Sequence, residues 1–568
     1  MSQDEPQAHG GAQAVAAARR HGVQALFTLS GGHIFPVYDG AVRADPPMPI
    51  VDVRHEQTAV FAAEAMARLT RTPGFAVLTA GPGVTNGVSA VTTAQFNGSP
   101  LVVLAGRAPD GRWGSGSLQE LDHPPLLAPV TKRASTVHVP GQVGAAADEA
   151  FALASSRHRG PVFLDASLEA LYGTGSPAAA GSQSPAARRS GIESTDARAI
   201  RDQPDPDAIT GIARLLAAAS RPVLILGSDV WLDGAEHAAR AAAEELRLPV
   251  IANGQGRGIL PAGHPLLVTR ARSVALGEAD LVLVAGTPLD FRLGYGNFGG
   301  KNGTAPARVV HLADAPGLVA THCELAGSAA GELAAIFTGL AGAAGNGTAD
   351  SAAWTQDWLP RLQAISKQAM ADDAELLASN ANPVHPLRIY GELARLLAED
   401  AVIIGDGGDF VSYAGKYVEP QQPGGWLDPG PYGCLGTGLG YAIAARLARP
   451  TAQVVLLLGD GAAGFSLMDA DTLVRHGLPV VMICGNNGIW GLEKHPMQAL
   501  YGYDVAADLQ PGCRYDQVVT ALGGGGELVT DPADIGPALR RAFDSGIPYL
   551  VNVVTDPSDA YPRSTTGV

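Results

Sequence analysis

The chain has 568 residues, of which 46% are hydrophobic and 6% are aromatic, and its formal net charge at pH 7 is −16. This length is enough for roughly three or four domains of ordinary size, each with its own apolar core. The acidic balance excludes nonspecific binding to nucleic acids or to an anionic membrane surface, although a local basic pocket can still hold an anionic ligand.

Short apolar runs alternate with helical patterns along the chain, which predicts parallel sheets connected by helices. Because these runs are continuously apolar, we expect the strands to be buried on both faces. Segments rich in Ala, Gly, Ser and Pro begin near residues 173 and 341 and are typical of linkers. The predicted strands are residues 75–78, 101–104, 162–164, 223–226, 250–252, 281–284, 402–404, 454–458, 480–483 and 550–554.

The four cysteines lie far apart and form no CxxC pair, so we expect buried thiols rather than disulfides or zinc ligands. The first residues lack the charged and apolar pattern of a signal peptide, and no apolar run reaches the length of a membrane span. A cytoplasmic protein without membrane association is therefore expected.

The first third of the chain carries several candidate functional residues. Glu56 precedes a helical pattern, where a carboxylate ordinarily caps a helix or faces its dipole. Gly81 and Asn86 belong to the run AGPGVTN, and Gln119 lies in the run QELD, where its role is either substrate binding or structural. His33 follows Ser-Gly-Gly, and these small residues predict close approach of a ligand. His33 is therefore either an active-site acid or base, or a structural histidine.

The last third contains two glycine-rich runs. The run GDGGDF follows a predicted strand, so the backbone N–H groups of Gly407, Gly408 and Asp409 are placed to cradle a diphosphate. The run GCLGTGLGY at residues 433–441 opens an Ala-rich helix. Taken alone, that run indicates only close packing between helices.

The turn Gly459-Asp460-Gly461-Ala462 follows the apolar run VVLLL, and Asn487 lies 27 positions after Asp460. Aspartate and asparagine supply hard oxygen donors, which suit Mg²⁺ when phosphates and water complete its shell. Gly461 allows the backbone to approach a phosphate at the start of a helix. The alternative is an ordinary strand-to-helix turn followed by a second polar loop.

These motifs and their spacing resemble the signature of thiamine diphosphate (ThDP) enzymes, and the likeness covers essentially the whole chain. It implies an α/β protein with three doubly wound parallel-sheet domains and with ThDP and Mg²⁺ as cofactors. The implied organisation is a pyrimidine-binding domain at 1–172, a linker at 173–206, a middle domain at 207–340, a linker with a connecting helix at 341–385, and a diphosphate-binding domain with a tail at 386–568.

The resemblance also implies roles for individual residues. Glu56 would bond to the pyrimidine ring and promote formation of the reactive ylid. Asp460, Asn487 and the carbonyl group of Ile489 would hold the metal ion, and Leu435 would force the two cofactor rings into a V. Further cofactor contacts are expected from Gly81, Asn86, Gly407, Gly408, Asp409, Gly433, Gly459, Gly461, Ala462, Trp490 and Gly491.

Three segments indicate a branch of the family. Residues 271–280, 459–468 and 487–491 are similar to 2-hydroxyacyl-CoA lyases and oxalyl-CoA decarboxylases, and the whole is similar to actinobacterial lyases that cleave 2-hydroxyisobutyryl-CoA. Residues 30–39 are instead more similar to acetolactate synthases. Gly461 also departs from the serine that is usual in the CoA group, and residues 492–496 fit neither pattern.

Glu493 lies 33 positions after Asp460, an offset at which pyruvate-decarboxylase-type relatives carry a catalytic glutamate and acetolactate synthases typically carry an apolar residue. A carboxyl group beside the reacting carbon can accept and return a proton if burial raises its pKa. The alternative is a solvated helix residue paired with Lys494.

The sequence therefore predicts a ThDP-dependent lyase that cleaves a 2-hydroxyacyl-CoA to a ketone or aldehyde and formyl-CoA. Arg272 and Arg257 are candidates for binding phosphates of CoA or a nucleotide, and ADP or CoA is expected in the middle domain in preference to FAD. The alternatives are an acetolactate synthase-like carboligase with FAD and an oxalyl-CoA decarboxylase. A regulatory subunit without activity is disfavoured because Glu56 and the metal-binding pair are present.

The resemblance further implies self-association, at least to a homodimer and more typically to a homotetramer, because the family builds its site between two subunits. The tail after Pro557 is expected to be either a lid over the CoA arm or a frayed terminus.

Overall fold

The computed structural model describes residues 8–175, 203–344, 353–559 and 561. In these ranges the chain forms three successive parallel β-sheets with helices packed around them, as the sequence predicts. The predicted linker at 173–206 lies mostly outside the described residues, as does most of the tail after Pro557. Among the described helices, none has both the length and the apolar character needed to cross a membrane.

The N-terminal domain contains six parallel strands. They are β1 Leu26–Thr28, β2 Ile50–Asp52, β3 Gly74–Leu78, β4 Leu101–Arg107, β5 Arg133–Val137 and β6 Val162–Ser167. Their order in the sheet is β2-β1-β3-β4-β6-β5. The helices of this domain are Gly10–Arg20, Phe35–Arg43, Glu56–Thr70, Pro82–Thr85, Val88–Phe96, Pro124–Leu127, Val143–Ser155 and Leu168–Tyr172.

The middle domain contains five parallel strands, β7 Pro222–Leu226, β8 Val250–Ala252, β9 Leu281–Ala285, β10 Arg308–Ala313 and β11 Gly327–Ala330. Their order is β11-β10-β9-β7-β8, so the direction of strand addition reverses between β9 and β7. Its helices are Pro206–Ala217, Ser228–Leu232, Glu236–Glu245, Arg272–Glu278 and Leu333–Ala344.

The C-terminal domain repeats the six-stranded arrangement, with strands β12 Val402–Asp406, β13 Trp426–Leu427, β14 Val454–Gly459, β15 Val481–Asn486, β16 Gly525–Val529 and β17 Tyr549–Val554. Their order is β13-β12-β14-β15-β17-β16. Its helices are Pro386–Leu393, Gly408–Ser412, Ala414–Tyr417, Gly438–Ala448, Asp460–Ser466, Ala470–Arg475, Gly491–Tyr501, Tyr515–Ala521 and Ile535–Asp544.

Three helices connect the middle and C-terminal domains: Ala353–Gln356, Trp358–Asp372 and Ala374–Leu377. The indole Nε1 of Trp358 donates a hydrogen bond to the carbonyl oxygen of Pro222 at 3.1 Å, and the ring is buried in the core of the middle domain. The connecting region is therefore packed onto the middle domain.

The helix Glu56–Thr70 of the N-terminal domain packs against the helix Gly438–Ala448 of the C-terminal domain, and side chains from both domains form one apolar core. Arg68 is fully buried there and donates to the hydroxyl oxygen of Tyr441 at 3.3 Å. The hydroxyl group of Tyr441 donates in turn to Glu64 at 2.7 Å. These contacts fix the helix that carries Glu56 relative to the helix Gly438–Ala448 of the C-terminal domain.

The four cysteines are free thiols, which confirms the prediction of no disulfide. Only Cys484 is fully buried, whereas Cys323, Cys434 and Cys513 are half-buried, so the expectation of burial was correct for one of the four.

Candidate active site

Asp460 begins a helix at the carboxyl end of β14, where its carboxylate is almost completely buried. Its Oδ2 accepts a hydrogen bond from the amide of Gly488 at 2.7 Å, and its Oδ1 accepts one from the amide of Gly461 at 2.9 Å. Burial raises the pKa of Asp460 to about 6, although these backbone donors favour the charged form. A buried carboxylate in this setting is stabilised by a bound cation.

The loop after β15 places Asn487 and Ile489 beside Asp460. Asn487 and Ile489 line one cavity with Asp460, and the side-chain Oδ1 of Asn487 accepts from the amide of Ile489 at 3.2 Å. The structure therefore brings together the three groups that the sequence assigns to the metal ion. Their donor atoms are all oxygens, which fits Mg²⁺.

The cavity around Asp460 is formed by the carboxyl ends of β12, β14 and β15. The described lining residues all belong to the C-terminal domain, and they include three acidic and no basic side chains. They are Gly408, Asp409, Phe410, Leu435, Gly459, Asp460, Gly461, Ala462, Gly485, Asn487, Ile489, Trp490, Gly491, Leu492 and Glu493.

Gly461 in this cavity and Gly407, which precedes the lining residue Gly408, cannot be replaced without moving a neighbour. A Cβ atom on Gly461 would lie 2.5 Å from the indole ring of Trp490. A Cβ atom on Gly407, which also has a φ of 69°, would lie 2.2 Å from Cδ2 of Leu435. Only glycine fits at these two turns, which lie where a diphosphate would bind, and the residues present fit ThDP with its magnesium ion.

Asp406 holds the turn that carries Leu435, a role that the sequence reasoning missed. Its fully buried carboxylate accepts hydrogen bonds from the amides of Gly436 at 3.0 Å and Gly438 at 2.9 Å. Burial raises the pKa of Asp406 to about 6, against the opposite effect of these amides. Gly433 lies at the same turn with a φ of 71°.

Glu493 lies in the first turn of the helix Gly491–Tyr501 and lines the cavity, although its side chain is exposed in the single chain. Its neighbour Lys494 contacts Asp508 and lies 3.4 Å from Asp504. The tail also reaches this region, since the amide of Tyr561 donates to Asp409 at 2.9 Å.

The N-terminal candidates form a second cluster at the carboxyl ends of β1, β3 and β4. Glu56 is 7% exposed, and its Oε2 accepts a hydrogen bond from the side-chain amide of Asn86 at 3.0 Å. Its Oε1 lies beside Gly83 and receives no hydrogen bond from any residue in the described part of the chain. A carboxylate oxygen without a donor, on a side chain that is mostly buried, fits the pyrimidine nitrogen of ThDP.

His33 and Gln119 lie in the same cluster, joined through Thr79. The Nδ1 of His33 is 3.2 Å from the hydroxyl oxygen of Thr79, which donates to Oε1 of Gln119 at 3.5 Å. Burial lowers the pKa of His33, and nearby His123 lowers it further. His33 is thus kept neutral and can accept a proton.

A fully buried pair, His123 and Asp165, supports the turn at Gly81. Neither residue was predicted from the sequence to belong to the site. The Nε2 of His123 accepts a hydrogen bond from the amide of Gly81 at 3.0 Å, so its Nδ1 carries the proton and donates to Asp165 at 2.8 Å. This pair fixes the turn that packs against Gln119.

The two arginine candidates lie outside both clusters. Arg257 donates to the carbonyl oxygen of Gly415 at 2.9 Å and covers the ring of Trp426, so it joins the middle and C-terminal domains. Arg272 donates to the carbonyl oxygen of Arg292 at 3.0 Å and pairs with no carboxylate of the described residues. Burial and, to a smaller extent, the charge of Arg257 lower the pKa of Arg272 to about 10.

The three parallel sheets, the turn at Asp460 and the cluster around Glu56 are the arrangement expected of an enzyme that uses ThDP. Three domain descriptions match the chain: the thiamine pyrophosphate enzyme N-terminal TPP binding domain at residues 8–126, the central domain at 209–338, and the C-terminal TPP binding domain at 406–553. The chain belongs to the thiamine pyrophosphate enzymes.

Proteins with two different names are similar to nearly the whole chain. The acetolactate synthase large subunit IlvG of Mycobacterium tuberculosis is 49% identical over 98% of this chain and 97% of its own length. The 2-hydroxyacyl-CoA lyases 2 of Caenorhabditis elegans and Homo sapiens are 34% and 33% identical, each over 97% of this chain and 90% of their own length.

Proposed function

We propose that this protein is a ThDP-dependent carbon–carbon lyase that cleaves a 2-hydroxyacyl-CoA, with 2-hydroxyisobutyryl-CoA as its preferred substrate. The observation that carries the proposal is that Glu493 lines the same cavity as Asp460, Asn487 and Leu435. A carboxylate at this position can exchange a proton with a substrate hydroxyl group.

The charge of the cavity supports a thioester substrate. Asp409, Asp460 and Glu493 contribute the charged side chains of the described lining, and no lysine, arginine or histidine accompanies them. A 2-oxoacid or an oxalyl group brings a carboxylate close to the reacting carbon, where Glu493, the one acid of this lining not assigned to the cofactor or its metal ion, would repel it. A thioester is neutral at that point, so an acyl-CoA meets no such penalty.

A second cavity supports a long substrate. It has a volume of about 830 Å³, shares Asn487 and Ile489 with the metal loop, and is also lined by Lys494 and His495. Pockets of roughly 300–1,000 Å³ hold drug-sized ligands. This space suits the arm of an acyl-CoA and exceeds the need of a small 2-oxoacid. We propose that Arg272 binds a phosphate group of CoA or of a nucleotide such as ADP.

The reaction breaks the bond between C1 and C2 of the substrate. Bound ThDP supplies a carbon nucleophile and an electron sink at C1. Glu493 takes the proton of the 2-hydroxyl group as C2 becomes the carbonyl carbon of a ketone or aldehyde. Glu493, or His33, delivers a proton to C1, which leaves as formyl-CoA. The proton lost from oxygen equals the proton gained at carbon, so the reaction needs no oxidant or reductant.

The chain's other residues prepare this step. Glu56 would hold the pyrimidine ring, Asp460, Asn487 and Ile489 would hold the magnesium ion, and Leu435 would pack against the cofactor rings. Gln119 is placed to bond the substrate. We propose that a second copy of the chain completes the cavity, so that the protein functions as a homodimer or homotetramer.

An acetolactate synthase is the second candidate, because the relative with that name is 49% identical to this chain. FAD in the middle domain would accompany that activity. The crevice at the carboxyl ends of β7 and β10 carries the buried carboxylates of Asp229 and Asp314, which oppose the diphosphate of a dinucleotide.

The purified protein with ThDP and Mg²⁺ should be assayed separately with 2-hydroxyisobutyryl-CoA and with pyruvate. The proposal predicts acetone and formyl-CoA from the first substrate, loss of both products in the Glu56→Gln variant, and a colourless protein. Acetolactate from pyruvate, with the CoA ester untouched, would reject the lyase in favour of the synthase.

A further inference from the structure

Three chemically distinctive side chains meet where the N-terminal domain touches the middle domain. They are His158, in the loop after the helix Val143–Ser155, Asp229, in the helix that follows β7, and Asp314, directly after β10. One ligand atom from each lies within 4.8 Å of those of the other two. The Nδ1 of His158 is 3.0 Å from both carboxylate oxygens of Asp314.

The cluster occupies a place where α/β sheets bind ligands. β10, β9 and β7 are neighbours in the middle sheet, and the strand order reverses between β9 and β7. The crevice at the carboxyl ends of such strands is the common ligand site of open parallel sheets. Here the loop that carries His158 closes the crevice from the N-terminal domain.

Asp229 is the feature of this cluster that calls for a ligand. Its side chain is 7% exposed, and its carboxylate receives no hydrogen bond from any residue in the ranges that the structure describes. Burial raises the pKa of Asp229 to about 7, even though His158 favours the charged form. A buried carboxylate in this condition is costly unless a cation compensates it.

The neighbouring arginines do not fill that role. Arg157 and Arg159 donate to Asp233 at 2.9 Å and 3.0 Å, and the amide of Leu333 also donates to Asp233 at 2.9 Å. Arg159 approaches Asp314 only to 3.6 Å. The charge of Arg159 favours the ionised form of Asp229 only through space, since no hydrogen bond from an arginine of the described residues reaches that carboxylate.

We propose that His158, Asp229 and Asp314 bind a divalent transition-metal cation of the Zn²⁺ class at the junction of the N-terminal and middle domains. One imidazole and two carboxylates form a donor set that suits Zn²⁺. Asp229 and Asp314 raise the pKa of His158 against the effect of burial, so the metal ion must displace the proton of the ring before His158 exchanges its contact with Asp314 for the metal. This site differs in chemistry from the oxygen-only site at Asp460, which favours Mg²⁺.

The metal ion joins two domains, because one ligand comes from the N-terminal domain and two come from the middle domain. A ligand that binds only the folded chain raises the stability of that chain by mass action. Zn²⁺ therefore stabilises the domain junction, and the effect is independent of catalysis at the ThDP site.

The test uses full-length protein freed of metal with a chelator and titrated with Co²⁺, whose visible absorption reports its ligands. The Asp460→Asn variant removes the competing site and should still bind one equivalent of Co²⁺. When Asp229→Asn or, separately, His158→Gln is added to this variant, the binding of Co²⁺ and its absorption bands should be lost. Asp110→Asn is a matched control, because Asp110 forms an exposed pair with His138 at 2.8 Å. The Asp110→Asn substitution should leave the binding of one equivalent of Co²⁺ unchanged.

A second readout is the melting temperature. Zn²⁺ should raise the melting temperature of the Asp460→Asn protein, and it should have no effect once Asp229→Asn is added. The proposal is overturned if the Asp460→Asn protein takes up no Co²⁺. It is equally overturned if uptake survives both Asp229→Asn and His158→Gln. The absence of Co²⁺ uptake is measured on the Asp460→Asn protein alone, so this result can overturn the proposal even if the Asp229→Asn variant does not fold.

Discussion

The side-chain amide of Asn86 donates a hydrogen bond to Glu56, with 3.0 Å between Nδ2 and Oε2. This bond holds one carboxylate oxygen and leaves the other facing Gly83, where no donor from the described residues reaches it. Glu56 is thus fixed in orientation and presents a single acceptor to a ligand.

We predict that Glu56→Gln lowers kcat by about 10²–10⁴-fold, the usual contribution of a positioned acid or base. Asn86→Leu should lower kcat less, because the carboxylate remains but is no longer oriented. Steady-state kinetics at saturating ThDP and Mg²⁺ checks both. Equal activity of the Asn86→Leu and wild-type proteins would show that this hydrogen bond does not serve catalysis.

Glu493→Gln tests the proposed proton transfer. We expect kcat for cleavage of 2-hydroxyisobutyryl-CoA to fall by about 10²–10⁴-fold with ThDP affinity preserved, since Glu493 lines the cavity without being assigned to the metal. Asp504→Asn is the matched control, because Asp504 lies beside Lys494 on the same surface and lines neither cavity. Full activity of Glu493→Gln would remove Glu493 from the mechanism.

The two residue clusters of the candidate site lie in different domains. We therefore predict that two inactive variants, one altered in each cluster, complement each other when they form a dimer. The described lining around Asp460 contains no residue of the N-terminal domain, while Phe465 and Met468 nearby are 58% and 55% exposed, as expected of a surface that a second copy covers. A heterodimer of Glu56→Gln and Asp460→Asn chains, isolated through two different tags, has one intact site and one site with both defects.

This heterodimer should recover about half of the wild-type specific activity, although each homodimer is inactive. An inactive heterodimer would place both residues of a site on one chain.

His33 predicts a pH dependence of stability. Its pKa is lowered in the folded chain by burial, so the unfolded chain takes up the proton first as the pH falls. The stabilising contribution is therefore present above the unfolded pKa of roughly 6.5 and is lost as the pH decreases. Urea unfolding should show a smaller loss of stability between pH 7.5 and pH 5.5 in His33→Gln than in the wild type. An identical loss would show that His33 titrates normally.

Much of the fold could be predicted because the central strands are continuous apolar runs. β3, β4, β7, β9 and β12 are buried along their whole length. Most of the strands that the sequence missed lie at sheet edges, where Gly, Ala and polar residues suffice. Among them, β11 is Gly-Ser-Ala-Ala and β16 begins with two glycines. Inside the sheets, β1 has only three residues and β10 is interrupted by His311, so neither gave an apolar run.

The candidate site could be predicted where its residues follow one another closely in sequence, as in the turns at Asp460 and Asn487. The residues that support those turns could not, because their partners are distant in sequence. His123 bonds to Gly81 across 42 positions, and Asp406 bonds to Gly436 across 30. Neither contact leaves a pattern in the sequence, since a buried histidine or aspartate acquires its role only from the fold.

The most direct test of the lyase is a competition in one tube. The wild-type protein with ThDP and Mg²⁺ is given equimolar pyruvate and 2-hydroxyisobutyryl-CoA labelled with ¹³C at the thioester carbon, and products are followed by NMR. For a 2-hydroxyacyl-CoA lyase we expect the label to appear in formyl-CoA, with acetone released and pyruvate largely unconsumed. Acetolactate as the main product, with the label still in the intact CoA ester, would contradict this expectation.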